Sequence, residues 1–369
     1  VFAPGVNLTD FSAIYQSVFT PAESGNVVFE FYSCGGTQLL VNGEEVKKFT
    51  NKHGSRGTSY GMYVEANKPY KIEIKFQYFS GDAQLNFDLG FKRDADIKSS
   101  VAKVKDADVV IFVGGISPSL EGEEMGVDLE GFKRGDRTDI ELPAVQRELI
   151  KALYNAGKKV VFVNCSGSPI GMEPETKYCQ AILQAWYPGQ SGGKAVADVL
   201  FGDYNPAGRL PVTFYRNISQ LPDFEDYNMA GRTYRYFKGD PLFPFGYGLS
   251  YTTFKYGNIQ LPGTVTVGET VKVTVPVTNN GNYDGDEVVQ LYLKKQDDTD
   301  GPNKTLRAFK RIHIPAGQTV NVELELTPKQ LEWWDNQTNT MRTMPGKFDI
   351  MIGNNSQNSN LQVQTIELK

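Results

Sequence analysis

Between Ser119 and Pro143 the chain reads SLEGEEMGVDLEGFKRGDRTDIELP, and five carboxylates crowd its first half: Glu121, Glu123, Glu124, Asp128 and Glu130. A carboxyl group held protonated can donate to a leaving oxygen, and the same group once ionised can activate water. The stretch leaves an apolar run directly after Val113-Gly114-Gly115. In open parallel sheets such strand ends are where ligands bind, so a carboxylate there is a candidate acid or base. The plainer reading is a solvated charged loop, the usual meaning of a charge run. A calcium loop is disfavoured, because the ligand order and turn glycine of an EF-hand are missing.

The elements that must hold this loop can be read on both sides of it. DADVVIFVGG reads as a continuous apolar strand buried on both faces. LPAVQRELIKALYNAG reads as a helix with Leu142, Val145, Leu149 and Leu153 on one face, Pro143 near its start and Gly157 just past its end. KKVVFVNCSG is a second buried strand, QAILQAWYPG a third, and SGGKAVADVLFG a second helix closed by Gly202. Strands alternating with helices predict an α/β domain around a mostly parallel sheet. The glycines of YPGQSGGK open a helix and could cradle a phosphate. They match neither the P-loop nor the dinucleotide pattern, and close strand–helix packing accounts for them better.

The flanks are different. Residues 1–92 alternate with period two, with an Asn-Gly turn in QLLVNGEEV and a Ser80-Gly81-Asp82 turn between KPYKIEIKFQYF and AQLNFDLGF, as in a β-sandwich. From 257 onward alternation returns in ETVKVTVPVTNNGNYDGDEVVQLYLKK, AGQTVNVELELT and GKFDIMIG, over a length that suits an immunoglobulin-like sandwich. The expected order is therefore β-sandwich (1–92), α/β sandwich (93–256) and β-sandwich (257–369).

Composition narrows the function. A chain of 369 residues is too long for one ordinary core. A net charge of -5 offers no basic field for nucleic acid. No apolar run reaches the roughly 18 residues that cross a bilayer, and the opening VFAPGVNLTD lacks the regions of a signal peptide. Only two histidines, His53 and His313, and three cysteines, Cys34, Cys165 and Cys179, are present. A His-based metal site, a Ser-His-Asp triad, a zinc site and a disulfide framework are all poorly supported, and no cofactor is expected.

Three long blocks, in order, resemble glycoside hydrolase family 3: LEGEEMGVDLEGFKRGDRTDIELPAVQRELIKAL, WYPGQSGGKAVADVLFGDYNPAGRLPVTFY and GRTYRYFKGDPLFPFGYGLSYTTF. The tail resembles the fibronectin type III-like domain of many members, and residues 1–92, notably FTPAESGNVVFEFYSCGGTQLLVNGEEV, a protective-antigen-type β-sandwich insert. This likeness implies the C-terminal portion of a retaining exo-β-glycosidase, a β-glucosidase or β-xylosidase, acting on a β-linked oligosaccharide or glycoside at its non-reducing end. Retention uses two carboxyl groups. The resemblance assigns the nucleophilic Asp to an N-terminal (β/α)8 barrel that is absent from this sequence, and the acid/base Glu to the acidic loop.

Gly122-Glu123, upstream of Asp136-Arg137, fits the family's acid/base step, with Glu121 and Glu124 as alternatives. Asp136 and Arg137 are expected to fix the loop through a salt bridge. Trp186 could stack on a sugar, although core packing is the competing expectation. Tyr234, Tyr236 and Phe243 to Tyr247 are expected to seal a domain joint, and Trp333 and Trp334 to serve as core or domain contacts. Ser33-Cys34-Gly35-Gly36 stands where many relatives carry an Asp-Asp pair, so metal-dependent sugar binding is not expected there. The implied partners are the substrate and the barrel of the same polypeptide, with a homo-oligomer possible, no nucleic acid and no membrane. The implied compartment is secreted or periplasmic, and the chain alone should have little or no activity. The competing class is a noncatalytic carbohydrate-binding or structural protein.

Overall fold

The computed structural model describes residues 10–79, 83–122, 127–133 and 136–369, without the side chains of His53 and Asp128. The expected turn at Ser80-Gly81-Asp82, and both Glu123 and Glu124, lie outside the described residues. The chain divides into two compact units, Val1–Asp96 with Gly122–Val127, and Ile97–Glu121 with Asp128–Lys369.

In the first unit five antiparallel strands follow one another: β1 (Ser12–Phe19), β2 (Gly25–Val41), β3 (Glu44–Val64), β4 (Tyr70–Gln77) and β5 (Gln84–Phe91). The β2–β3 hairpin closes on Asn42 and Gly43, both in the left-handed region at φ 54° and 88°, the pairing that a type I′ turn requires. A single sheet runs β1-β4-β2-β3, with β5 also on β2. The early half of β2 pairs with β5 and its late half with β4, and the pairing slips between Ser33 and Gly35. Gly35 takes φ 137° there, and a Cβ would meet the Gln77 carbonyl at 2.6 Å, so the bulge needs glycine. Val27, Phe29, Phe31, Leu39, Val41, Ile72 and Ile74 form the unit's core.

The second unit begins with α1 (Ile97–Lys103), β6 (Val109–Gly115), α2 (Pro118–Glu121) and three two-residue strands, β7 (Asp128–Leu129), β8 (Phe132–Lys133) and β9 (Asp136–Arg137), which pair into a small antiparallel sheet. Then come α3 (Ala144–Asn155), β10 (Lys159–Cys165), α4 (Glu173–Tyr178), β11 (Ala181–Gln184), α5 (Gly192–Phe201) and α6 (Thr233–Tyr236). Strands β11-β10-β6 form a three-stranded parallel sheet with β10 in the middle. Gly157 and Gly202 follow α3 and α5 at φ 76° and 83°, as left-handed helix ends.

Two expectations change here. Strand β6 is not buried on both faces: Val109, Ile111 and Val113 are 48, 46 and 64% exposed. Among the described residues it is an edge strand, with alternate residues turned from the side that α3 covers. In α3, Val145 is exposed while Ile150 and Leu153 are buried. The inward arc is turned by Gln146, whose side-chain amide bonds both the N–H and the C=O of Gly115, each at 2.8 Å.

The remaining strands are β12 (Phe254–Tyr256), β13 (Thr264–Val265), β14 (Val271–Asn279), β15 (Gly285–Lys295), β16 (Thr305–Ile314), β17 (Thr319–Leu326), β18 (Trp333–Asp335), β19 (Thr340–Arg342), β20 (Gly346–Gly353) and β21 (Leu361–Leu368). A three-stranded sheet, β12-β14-β17, and a five-stranded one, β13-β21-β20-β15-β16, share a core that includes Val273, Val275, Leu291, Leu293, Leu324, Phe348 and Ile350. Alternate residues of β14 and β20 supply it, the period-two pattern of a sandwich. Trp333 belongs to this core, whereas Trp334 is 48% exposed because neighbours on a strand face opposite ways.

Candidate active site

The parallel register brings three strand ends to one level: Gly115 of β6 pairs with Cys165 of β10, and Asn164 of β10 with Gln184 of β11. Each strand then contributes a side chain just beyond its end. After β6, Glu121 closes α2. After β10 comes Ser168, and after β11, Tyr187. The Tyr187 hydroxyl donates to Glu121 Oε2 at 2.7 Å, and the Ser168 hydroxyl to Glu121 Oε1 at 3.1 Å. Both carboxylate oxygens are thereby occupied.

Arg137 closes the cluster from the side. Its Nη1 donates to Ser168 Oγ at 3.0 Å and to the Pro169 carbonyl at 3.3 Å, and its Nη2 to the Glu141 carbonyl at 3.2 Å. Burial lowers the Arg137 pKa, opposed by Glu121 as the first of its neighbouring charges. The Tyr187 phenol is pushed up to about 12, first by burial and then by the Glu121 carboxylate that accepts its hydrogen bond. Beneath Arg137, the wholly buried Glu175 receives Arg147 Nε at 2.7 Å, and Glu141 receives Arg147 Nη1 at 2.7 Å.

The backbone is arranged around the Tyr187–Glu121 contact. Trp186 takes φ 57°, uncommon for a bulky residue, so the chain turns sharply on leaving β11. A Cβ on Gly167 would lie 2.4 Å from the Tyr187 ring and 3.0 Å from Glu121 Oε2, so this position admits only glycine while the contact stands.

The sequence-predicted residues separate here. Glu121 and Arg137 are together; Glu123 and Glu124 lie outside the described residues. Asp136 is exposed and forms no ion pair among the described residues, so Arg137 reaches the loop through Ser168 and Glu121, not through an Asp136 salt bridge. The Trp186 ring packs edge-on against Phe214 at 6.0 Å, and Phe214 against Phe243 at 6.3 Å. Tyr234 stacks on Phe245 at 4.3 Å, and both rings meet Tyr292 of β15. Among the glycines read as strand–helix packing, Gly192 lies against Pro188, while Gly189 and Gly193 have open space around them. Sequence reasoning missed Tyr187, Ser168 and Gly167. Their only signal was position, a few residues past the ends of two apolar strands.

A parallel sheet whose strand ends carry an anchored acidic loop, followed by a fibronectin-like sandwich, is an arrangement that comparison with known proteins identifies. Residues 13–251 match the glycosyl hydrolase family 3 C-terminal domain, and residues 287–356 the fibronectin type III-like domain. The chain belongs to glycoside hydrolase family 3.

It is similar to a xylan 1,4-beta-xylosidase of Xylanibacter ruminicola, 53% identical over 371 residues, covering 100% of this chain and 42% of that protein. It is also similar to a periplasmic beta-glucosidase of Salmonella typhimurium, 38% identical over 275 residues, covering 70% and 34%. Among solved structures, a β-glucosidase from Kluyveromyces marxianus shares the fold at a TM-score of 0.79 and 23% identity, over 98% of this chain and 44% of that one. A β-glucosidase from Erythrobacter marinus matches at TM-score 0.64 and 38% identity, over 74% and 36%. The chain thus spans less than half the length of these relatives. Among the described residues no helix is long and apolar enough to cross a membrane.

Proposed function

We propose that this chain is the portion of a retaining exo-β-glycosidase that supplies the acid/base carboxylate, with Glu123 in that role and the nucleophilic Asp on a barrel of the same polypeptide. The supporting observation is that the loop departs from the carboxyl end of a parallel strand, and its first carboxylate, Glu121, is already engaged at both oxygens. The family step Gly122-Glu123, upstream of Asp136-Arg137, points to the next carboxylate for the chemistry. An ionised nucleophile beside Glu123 would hold it protonated for departure of the aglycone, and esterification of the nucleophile would release it to act as base. The substrate class is a β-linked oligosaccharide or aryl glycoside, of xylosidase or glucosidase type as the names of the relatives suggest. The name of the Salmonella relative favours a secreted or periplasmic setting. In this reading residues 1–92, 93–256 and 257–369 are separate domains, Arg137 serves the loop through Ser168 while Asp136 stands outside that cluster, Trp186 packs beside the site without gripping the sugar, and the chain alone has little or no activity.

The test uses the complete gene product carrying Glu123→Ala, assayed on activated aryl β-xylosides and β-glucosides with and without azide. A good leaving group needs little acid assistance, so the glycosyl-enzyme should form and stall. Azide needs no base, so it should restore turnover and yield the β-glycosyl azide. Near-normal turnover without azide would overturn the assignment.

A further inference from the structure

Glu121 belongs to the acidic loop but its surroundings are those of an anchor. We propose that Tyr187, Ser168 and Arg137 clamp Glu121 so that the chain leaves α2 from a fixed point, making Tyr187 a positioning residue for the carboxylate that follows. The inference rests on the reading of Glu123 as acid/base, and it adds an anchor two residues before it.

Four observations converge. Tyr187 is the one member whose hydroxyl reaches Glu121 Oε2, at 2.7 Å, and it comes from a different strand end than Ser168, which occupies Oε1. The carboxyl ends of two neighbouring parallel strands, β10 and β11, therefore hold the two oxygens, fixing the carboxylate in orientation as well as place. Arg137 then locks Ser168 by a hydrogen bond of 3.0 Å and brings positive charge to the carboxylate without pairing directly with it. The strained φ of 57° at Trp186 aims the next residue back over Gly167, and Gly167 lacks the Cβ that would push the Tyr187 ring away. Strain and a missing side chain together maintain a single hydrogen bond, which plain packing of a 40% exposed tyrosine would not require.

Small displacements of a catalytic group lower its effectiveness steeply. Loss of the clamp should therefore weaken proton donation while leaving the nucleophile untouched, and the substrate's leaving group reports the difference. In the full-length enzyme, Tyr187→Phe keeps the ring and removes the hydroxyl. Expected is a fall in kcat/KM of about tenfold or more on an alkyl glycoside or xylobiose, with a change of less than about threefold on a dinitrophenyl glycoside, scaled to the steep cost of misplacement. Gly167→Ala should give the same leaving-group dependence by displacing the ring, and thermal unfolding of both variants controls for general damage.

Equal losses on both substrates, or no loss on either, overturn the clamp. If Glu121→Gln, and not Glu123→Ala, shows azide-rescued turnover, Glu121 is itself the acid/base and the clamp is refuted together with the Glu123 assignment. If Glu123→Ala behaves as an acid/base variant while Tyr187→Phe matches the parent enzyme, the clamp fails alone.

Discussion

Arg209 and Glu287 face each other at 3.0 Å with side chains only 8 and 1% exposed, joining the segment after α5 to strand β15. Tyr256 donates to the other Glu287 oxygen at 3.0 Å. Burial nonetheless raises the Glu287 pKa from its ordinary value, so desolvation outweighs the attraction of Arg209. A pair in that position should be costly to break and cheap to replace. Arg209→Met alone should destabilise by about 3–5 kcal/mol, because it strands a buried carboxylate. Adding Glu287→Met should recover most of that loss. Urea denaturation of both variants measures it, and additive losses would refute it.

Gly115 ends β6 at φ 128°, and a Cβ there would lie 2.0 Å from the Cys165 carbonyl oxygen. The strand cannot retreat without breaking the two bonds from Gln146. Gly115→Ala should therefore cost about 3 kcal/mol or more. Gln146→Leu should cost less, since it leaves two backbone groups short of partners without forcing atoms together. Comparing their thermal midpoints checks the order.

Lys304 is 5% exposed and donates to the Ser356 carbonyl and to Asn358 Oδ1, and burial pulls its pKa down to about 8. An unfolded lysine keeps its proton to roughly pH 10.4. Between those values the unfolded chain binds more protons than the native one, so stability rises with pH. The half-buried Cys179 thiol, pushed up to about 12, acts in the opposite sense in this window. The test is therefore the difference between profiles: from pH 8 to pH 10 the urea midpoint of the unsubstituted chain should rise relative to that of Lys304→Met. Parallel profiles of the two proteins would refute the prediction.

The open side of β6 offers Val109, Ile111 and Val113 beside an unpaired strand edge, a combination that promotes association. The chain by itself should self-associate as concentration rises, measured by light scattering. Val113→Lys should suppress this without altering the thermal midpoint.

Local chemistry was legible in the sequence wherever a single residue type decides the backbone. Asn42-Gly43 announced its hairpin, and Gly157 and Gly202 announced helix ends, because few other residues take positive φ. The exposure of β6 was not legible, since an apolar strand looks the same whether or not its far face is covered. The anchoring of Glu121 was hidden for a similar reason: its partners stand 47 and 66 residues away, and only the register of three parallel strands brings them together. The helical period in α3 suggested Val145 as an inward residue, but a polar partner for Gly115 turned Gln146 inward instead.

The anchor also sets a radius. With Glu121 held, two residues of chain separate its Cα from that of Glu123, and extended backbone spans at most about 3.6 Å per residue. On the far side Asp128 returns the chain to the small β7–β8–β9 sheet. In the proposed function, a loop anchored on this side would leave the docking of the enzyme's parts to set which glycosides reach it.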